Sequence, residues 1–139
     1  MKTKSLLFLM VALLAVSLSS CTKTKLELTW TIYTTPADTE EAKFVAGKVD
    51  NVLTSYYQDL GKYTPGYSTE TATFSPSVII TGDSYDQVYK KVDDATKLAD
   101  QVLTEEMDYG TLTKCQVVVR LFDHSVPADV WNKEYITDK

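Results

Sequence analysis

The segment Leu26 to Thr34 alternates without a break, with Leu26, Leu28, Trp30 and Ile32 on one side and Glu27, Thr29, Thr31 and Tyr33 on the other. A period of two, enriched in β-branched and aromatic residues, predicts a strand with one buried face. Such a strand needs a sheet to pair with and a cover for its apolar side. Two helical stripes supply the cover. The first helix is expected from about Pro36 to Leu60, with Thr35 as N-cap, Pro36 at the first helical position and Asp38 reaching back to the cap. Val45, Val49, Val52, Leu53, Tyr56 and Leu60 form its apolar stripe, and Gly61 reads as a left-handed stop. The second helix starts at Ser84, with Gln87 completing a capping box, and its stripe is Val88, Val92, Ala95, Leu98, Ala99, Val102 and Leu103. On its wet side Asp86/Lys90 and Asp93/Lys97 have the spacing of ion pairs one turn apart.

A second alternating strand runs from Lys114 to Phe122, with Cys115, Val117, Val119 and Leu121 on one side and Gln116, Val118, Arg120 and Phe122 on the other. Tyr63 to Tyr67 reads as a turn. Between the helices, Glu70 to Phe74 and Ser77 to Thr81 form either two strands turning at Ser75-Pro76 or one long strand with Pro76 at an edge. A weak repeat favours two: a shift of 47 residues lays Tyr33-Thr34 on Ile80-Thr81, Val45 on Val92, Val52 on Ala99 and Tyr56 on Leu103. The expectation is an α+β two-layer sandwich of ferredoxin-like β-α-β-β-α-β order, with both helices on one face of an antiparallel or mixed sheet. The alternative is a three-stranded βαβαβ unit.

The N-terminus is an address. Lys2 and Lys4 precede an apolar run from Leu6 to Val16 and then the small residues Ser17, Ser19 and Ser20, the layout of a secretory signal peptide. The run is too short for a bilayer core of about 30 Å, which takes roughly 20 helical residues. The segment Leu18-Ser19-Ser20-Cys21 resembles the lipobox of bacterial lipoproteins. That resemblance implies cleavage before Cys21 and a diacylglycerol on its sulfur. Thr22 stands where members retained at the inner membrane often carry Asp, which points to the outer membrane, facing the periplasm. Thr22-Lys23-Thr24-Lys25 offers no acidic run for surface display. The expected organisation is a signal peptide over 1–20, a lipidated Cys21 with a short tether over 21–25, and one domain over 26–139. A tether of four extended residues reaches about 13 Å, so the domain is expected close to the membrane. With Cys21 acylated, Cys115 has no partner for an internal disulfide.

Charge and composition restrict the chemistry. Fourteen Lys and Arg stand against nineteen Asp and Glu in 139 residues, so a nucleic-acid partner is not expected. One His and two Cys leave few ligands for a zinc or iron–sulfur site, and no metal or other cofactor is expected. Asp123-His124-Ser125 has the residue types of a hydrolytic triad. Consecutive residues of an extended chain point apart, however, so they read as a polar strand exit. Cys115 shares a face with Val117, Val119 and Leu121 and reads as a core residue. Glu105, Glu106 and Asp108 lack calcium-loop spacing and read as a solvated helix end. Nine tyrosines are many for this length. Tyr57, Tyr63 and Tyr67 form a candidate ligand loop, set against amphipathic packing of ring inside and hydroxyl outside.

The second face of the sheet carries the sharpest functional signal. A one-sided antiparallel sheet is polar on its outer face, and Glu27, Thr29 and Thr31 obey. Val118 and Phe122, beside Arg120, do not. Either the C-terminal segment folds back across them, bringing Trp131 and Tyr135, or Val118, Arg120, Phe122, Trp131 and Tyr135 belong to an interface. The expected function is a non-enzymatic binding or accessory module of the cell envelope. Its partners would be the membrane, through the lipid, and another envelope protein or a second copy. Two alternatives stand: a small envelope hydrolase or ligand-binding enzyme built on Asp123, His124 and the tyrosines, and a homodimerising structural module.

Overall fold

A computed structural model describes residues 23–68, 73–74 and 76–138. The expected signal peptide over 1–20 and the expected lipidation site Cys21 lie outside the described residues, as does the 70–72 part of the expected strand. In chain order the elements are β1 (Thr24–Thr35), α1 (Glu40–Tyr57), a 3-10 turn (Gln58–Leu60), β2 (Lys62–Thr64), β3 (Tyr67–Ser68), β4 (Thr73–Phe74), β5 (Ser77–Gly82), α2 (Tyr85–Glu105), β6 (Lys114–Asp123) and β7 (Ala128–Asp138). One five-stranded sheet has the order β2-β5-β1-β6-β7 with every pairing antiparallel, and β3-β4 form a separate two-stranded ribbon.

The α+β class holds, but the ferredoxin-like β-α-β-β-α-β pattern does not, and neither does a three-stranded βαβαβ unit. Three features overturn it. The short strand paired with β5 is Lys62–Thr64, from the segment expected to turn, rather than Glu70–Phe74. A ribbon is inserted between β2 and β5. The C-terminal segment supplies a fifth sheet strand, paired to β6 from Lys114↔Asp138 to Asp123↔Ala128. That last strand was hard to see because its inward positions read Trp131, Lys133, Tyr135. A lysine at an inward position of an edge strand interrupts the apolar pattern while guarding the open edge.

The core is a single cluster between the sheet's inner face and both helices. Leu26, Leu28 and Trp30 of β1, Val78 and Ile80 of β5 and Val117, Val119 and Leu121 of β6 meet Val45, Val49 and Leu53 of α1 and Val88, Val92 and Ala99 of α2. Burying such side chains is worth about 1.5–3 kcal/mol each, which makes this face the source of stability. The buried residues Ala42, Val49, Leu53 and Tyr57 match Val88, Ala95, Ala99 and Leu103, each pair one residue closer than the 47 of the sequence repeat. That slip moves Tyr57, not Tyr56, into the core. It also exposes Leu98 and buries Thr96.

The start of α1 differs from the expected one, while that of α2 does not. β1 continues through Thr35, and α1 is capped by Thr39, whose hydroxyl accepts from Ala42 N at 3.0 Å. Helix α2 starts as expected, with Ser84 Oγ accepting from Gln87 N at 3.2 Å. Gly61 is extended rather than left-handed, and its role is closeness: a Cβ there would lie 2.0 Å from the Ile79 carbonyl oxygen. Of the expected ion pairs, Asp93–Lys97 forms at 2.9 Å, whereas Lys90 turns to Asp94 at 2.7 Å. Both are exposed and contribute little.

Candidate functional site

The outer face of the sheet is built from alternate residues of four strands. The register sets Glu27, Thr29, Thr31 and Tyr33 of β1 opposite Phe122, Arg120, Val118 and Gln116 of β6. Ile79 of β5 flanks Glu27, while Glu134 and Asn132 of β7 flank Val118 and Arg120. Gln116 donates its amide to Glu134 across the β6–β7 pair. β7 lies beside β6 instead of across it, so the C-terminal segment does not cover this face, and Arg120 stays exposed. Val118 and Phe122 are half-buried by their neighbours.

Of the five residues expected at an interface, the structure keeps Val118, Arg120 and Phe122 together and separates the other two. Trp131 pairs with Leu121 and Tyr135 with Val117, both on the helix side. Tyr135 is buried, and its hydroxyl donates to the Thr96 carbonyl at 3.1 Å. A β-bulge between Leu121 and Phe122 shifts the register, so Phe122 faces Asp129.

One corner of the face carries the single histidine. The His124 ring stands edge-on to Phe122, with centroids 4.7 Å apart, and its Nε2 pairs with the Glu27 carboxylate. The His124 side chain is 67% exposed. Of its sequence neighbours, Asp123 turns inward while Ser125 stays exposed and bonds back to it. Asp123 is buried and accepts from Ser125 N at 2.9 Å, Ser125 Oγ at 2.6 Å and the Tyr85 hydroxyl. The Ser125 bonds, then that of Tyr85, hold the Asp123 carboxyl below the usual carboxylate range. The serine proton therefore points at Asp123, while His124 faces Glu27 on the opposite side of the strand. This is a turn clamp, not a relay from nucleophile to base.

The tyrosine loop disperses in the same way. Tyr57 is fully buried, its hydroxyl 2.6 Å from Thr96 Oγ1, and burial pushes it up to about 12. Tyr63 lies parallel to Trp30, with centroids 6.5 Å apart, and Tyr67 opens β3. Trp30 Nε1 donates to Asp50 Oδ1 at 2.9 Å, while burial raises the Asp50 carboxyl. Cys115 is buried in the core, and burial pushes its thiol up to about 11. Asp108 accepts from Gly110 N at 2.9 Å, so it caps a turn. Among the described residues, no group of three or more His, Cys, Asp or Glu is arranged to hold a metal ion.

At the far end of the domain is a shallow groove lined by Glu41, Phe44, Val45, Lys48, Asp108 and Gly110. Phe44 is exposed there, with Lys48 Nζ 4.6 Å from its ring centroid. The Glu41 carboxylate accepts from Thr111 N at 2.9 Å and from the Thr111 hydroxyl. Gly110, at φ +61°, lets the loop pass that close. These contacts fasten the α2–β6 loop to α1.

Sequence reasoning missed the Glu27–His124 pair and the Tyr57–Thr96–Tyr135 cluster. Alternation placed Glu27 on the outer face, but the partner depends on a register that joins residues 97 apart. The chain matches no protein-family model, no curated protein and no solved structure.

Proposed function

We propose that this chain is a lipid-anchored envelope protein whose domain is a non-enzymatic binding module, docking its partner on the outer face of the sheet. The observation that carries this reading is the position of β7. Val118, Arg120 and Phe122 keep an open face because the one segment expected to cover them extends the sheet instead. The face has the composition of a small interface: an apolar pair, an arginine between them, and a rim of Thr29, Thr31, Asn132 and Glu134. Aromatic residues and arginine are the types that carry binding energy at such surfaces. The disposition of Asp123, His124 and Ser125 supports the non-enzymatic reading, since the serine hydroxyl serves the turn. The lipobox at Leu18–Cys21 supports the anchor.

The test is a double variant, Val118→Lys with Phe122→Lys, whose new charges face Glu134 and Glu27 rather than repel them, compared with the parent by urea unfolding and by native electrophoresis of detergent-solubilised envelopes. The expected outcome is an unchanged unfolding midpoint, with the variant migrating free of any complex that holds the parent. A complex that survives the double variant would overturn the assignment of this face.

A further inference from the structure

We infer that the β6–β7 turn, His124 to Pro127, is the foot of the domain and rests with Val126 and Tyr85 in the headgroup layer of the membrane. This rests on the lipid-anchor reading above and adds which surface the lipid presses down. The argument starts from where the described chain begins. β1 starts at Thr24, so only Thr22 and Lys23 separate Cys21 from the sheet, and two extended residues reach about 7 Å. β1 and β6 are neighbours with Glu27 opposite Phe122. β6 ends at Asp123 and the chain turns there, with Val126 N bonded back to the Asp123 carbonyl and His124 reaching Glu27, so the turn lies at the end of the sheet where β1 begins. Acyl chains on Cys21 would therefore start within roughly 15 Å of the turn, allowing one interstrand spacing and three residue steps from Thr24.

The turn is suited to that position. Val126 is 54% exposed and Tyr85 40% exposed, two of the five large apolar side chains that the described residues leave open. Val126 N donates to the Asp123 carbonyl at 3.3 Å, and Asp123 also gathers Ser125 and the Tyr85 hydroxyl. The exposed pair is thus held by a pinned turn, and Tyr85 presents its ring outward with its hydroxyl satisfied. An aromatic ring with one polar end suits a membrane–water boundary. Charge selects the kind of lipid. Asp83, Asp86 and Asp129 are exposed at this end beside Lys23 and Lys25, so it gains nothing from an anionic surface. The occupant is a zwitterionic headgroup layer. With the turn as foot, the strands rise from the membrane, the Val118–Phe122 face stands side-on, and the Phe44 groove points away.

The test uses the full chain matured in cells, purified in detergent and reconstituted in phosphatidylethanolamine/phosphatidylcholine vesicles. Val126→Cys and, separately, Leu98→Cys on the outward side of α2 carry a polarity-sensitive fluorophore; both sites are exposed, and Cys115 is buried. The expected result is a blue-shifted emission at 126, quenched severalfold more than at 98 by a quencher placed in the lipid. Equal, water-like emission at both positions in protein shown by mass spectrometry to carry acyl chains on Cys21 would overturn the foot alone. Protein whose Cys21 carries no lipid, and which does not float with the vesicles, would overturn the anchor reading and the foot with it.

Discussion

Strand β6 holds the two faces of this molecule in alternate residues. Cys115, Val117, Val119 and Leu121 are buried against the helices, while Gln116, Val118, Arg120 and Phe122 look out beside Thr29 and Thr31 of β1. Both sets include β-branched residues suited to a strand, so strand propensity does not separate them. The difference lies in what stands opposite. Inner residues meet two helices and lose their contact with water; outer residues meet only cross-strand neighbours. The inner face therefore fixes the fold, and the outer face is open to other work at little cost to stability.

The largest effect that would break this contrast lies under the helices. Trp30→Ala removes a fully buried ring that packs on Tyr57 and Tyr63 and leaves Asp50 without its indole donor, and a loss of about 3–5 kcal/mol is expected by urea unfolding. A loss below about 1 kcal/mol would mean that the inner face is not the core described. Tyr57→Phe keeps the ring and removes the hydroxyl at Thr96, and should cost about 1–3 kcal/mol in the same measurement.

Alkaline unfolding sharpens the comparison, because the raised groups sit on the inner side. The Cys115 thiol is pushed from 9.0 up to about 11, and the Tyr57 hydroxyl from 10.0 up to about 12. Both groups hold their protons more tightly folded than unfolded. Their contribution is complete below the unfolded values and is lost as pH rises through about 11 and 12. Unfolding midpoints should fall steeply above pH 9, and Cys115 should resist alkylation at pH 8 until urea opens the chain. Rapid labelling of the folded protein would contradict its burial. Asp123 works in the opposite direction: its lowered carboxyl stabilises above the ordinary carboxylate range, and that contribution disappears as pH falls below it. In Asp123→Asn the acid-side loss should shrink, which pH-dependent unfolding will read.

The smallest effect belongs to the outer face. Thr31→Val and Val118→Thr exchange types across one cross-strand pair and should each stay within about 0.5 kcal/mol of the parent in unfolding midpoint. Light scattering on residues 22–139 adds a second reading of this face. A monomer at high concentration is expected, and a stable dimer lost on Phe122→Asp would turn the module into a self-associating one.

Much of the inner face was legible because it obeys simple periods. Leu26, Leu28 and Trp30, and Cys115 to Leu121, follow period two, and Val45, Val49, Leu53 and Val88, Val92, Ala99 follow the helical repeat. What escaped depends on long-range pairing or on residues with two roles. β2 is three residues long and was hidden in a turn-like Tyr-Thr-Pro-Gly context. β7 was masked by Lys133. Tyr57 looked like a loop residue because its burial depends on Thr96, which is polar and fell outside the apolar stripe. Of the candidate site, Val118, Arg120 and Phe122 could be read from alternation alone. The openness of their face could not, since it rests on β7 lying beside β6.

The most direct test places a photoreactive residue at position 120, where Arg120 stands exposed between Val118 and Phe122, in the intact protein in cells. Mass spectrometry then identifies the adducts, with position 98 on α2 as control. The account predicts one recurring envelope protein captured from 120 and absent from 98. Adducts from 120 confined to the chain's own neighbouring strands, such as Asn132 beside it on β7, with no envelope protein captured, would contradict the central claim.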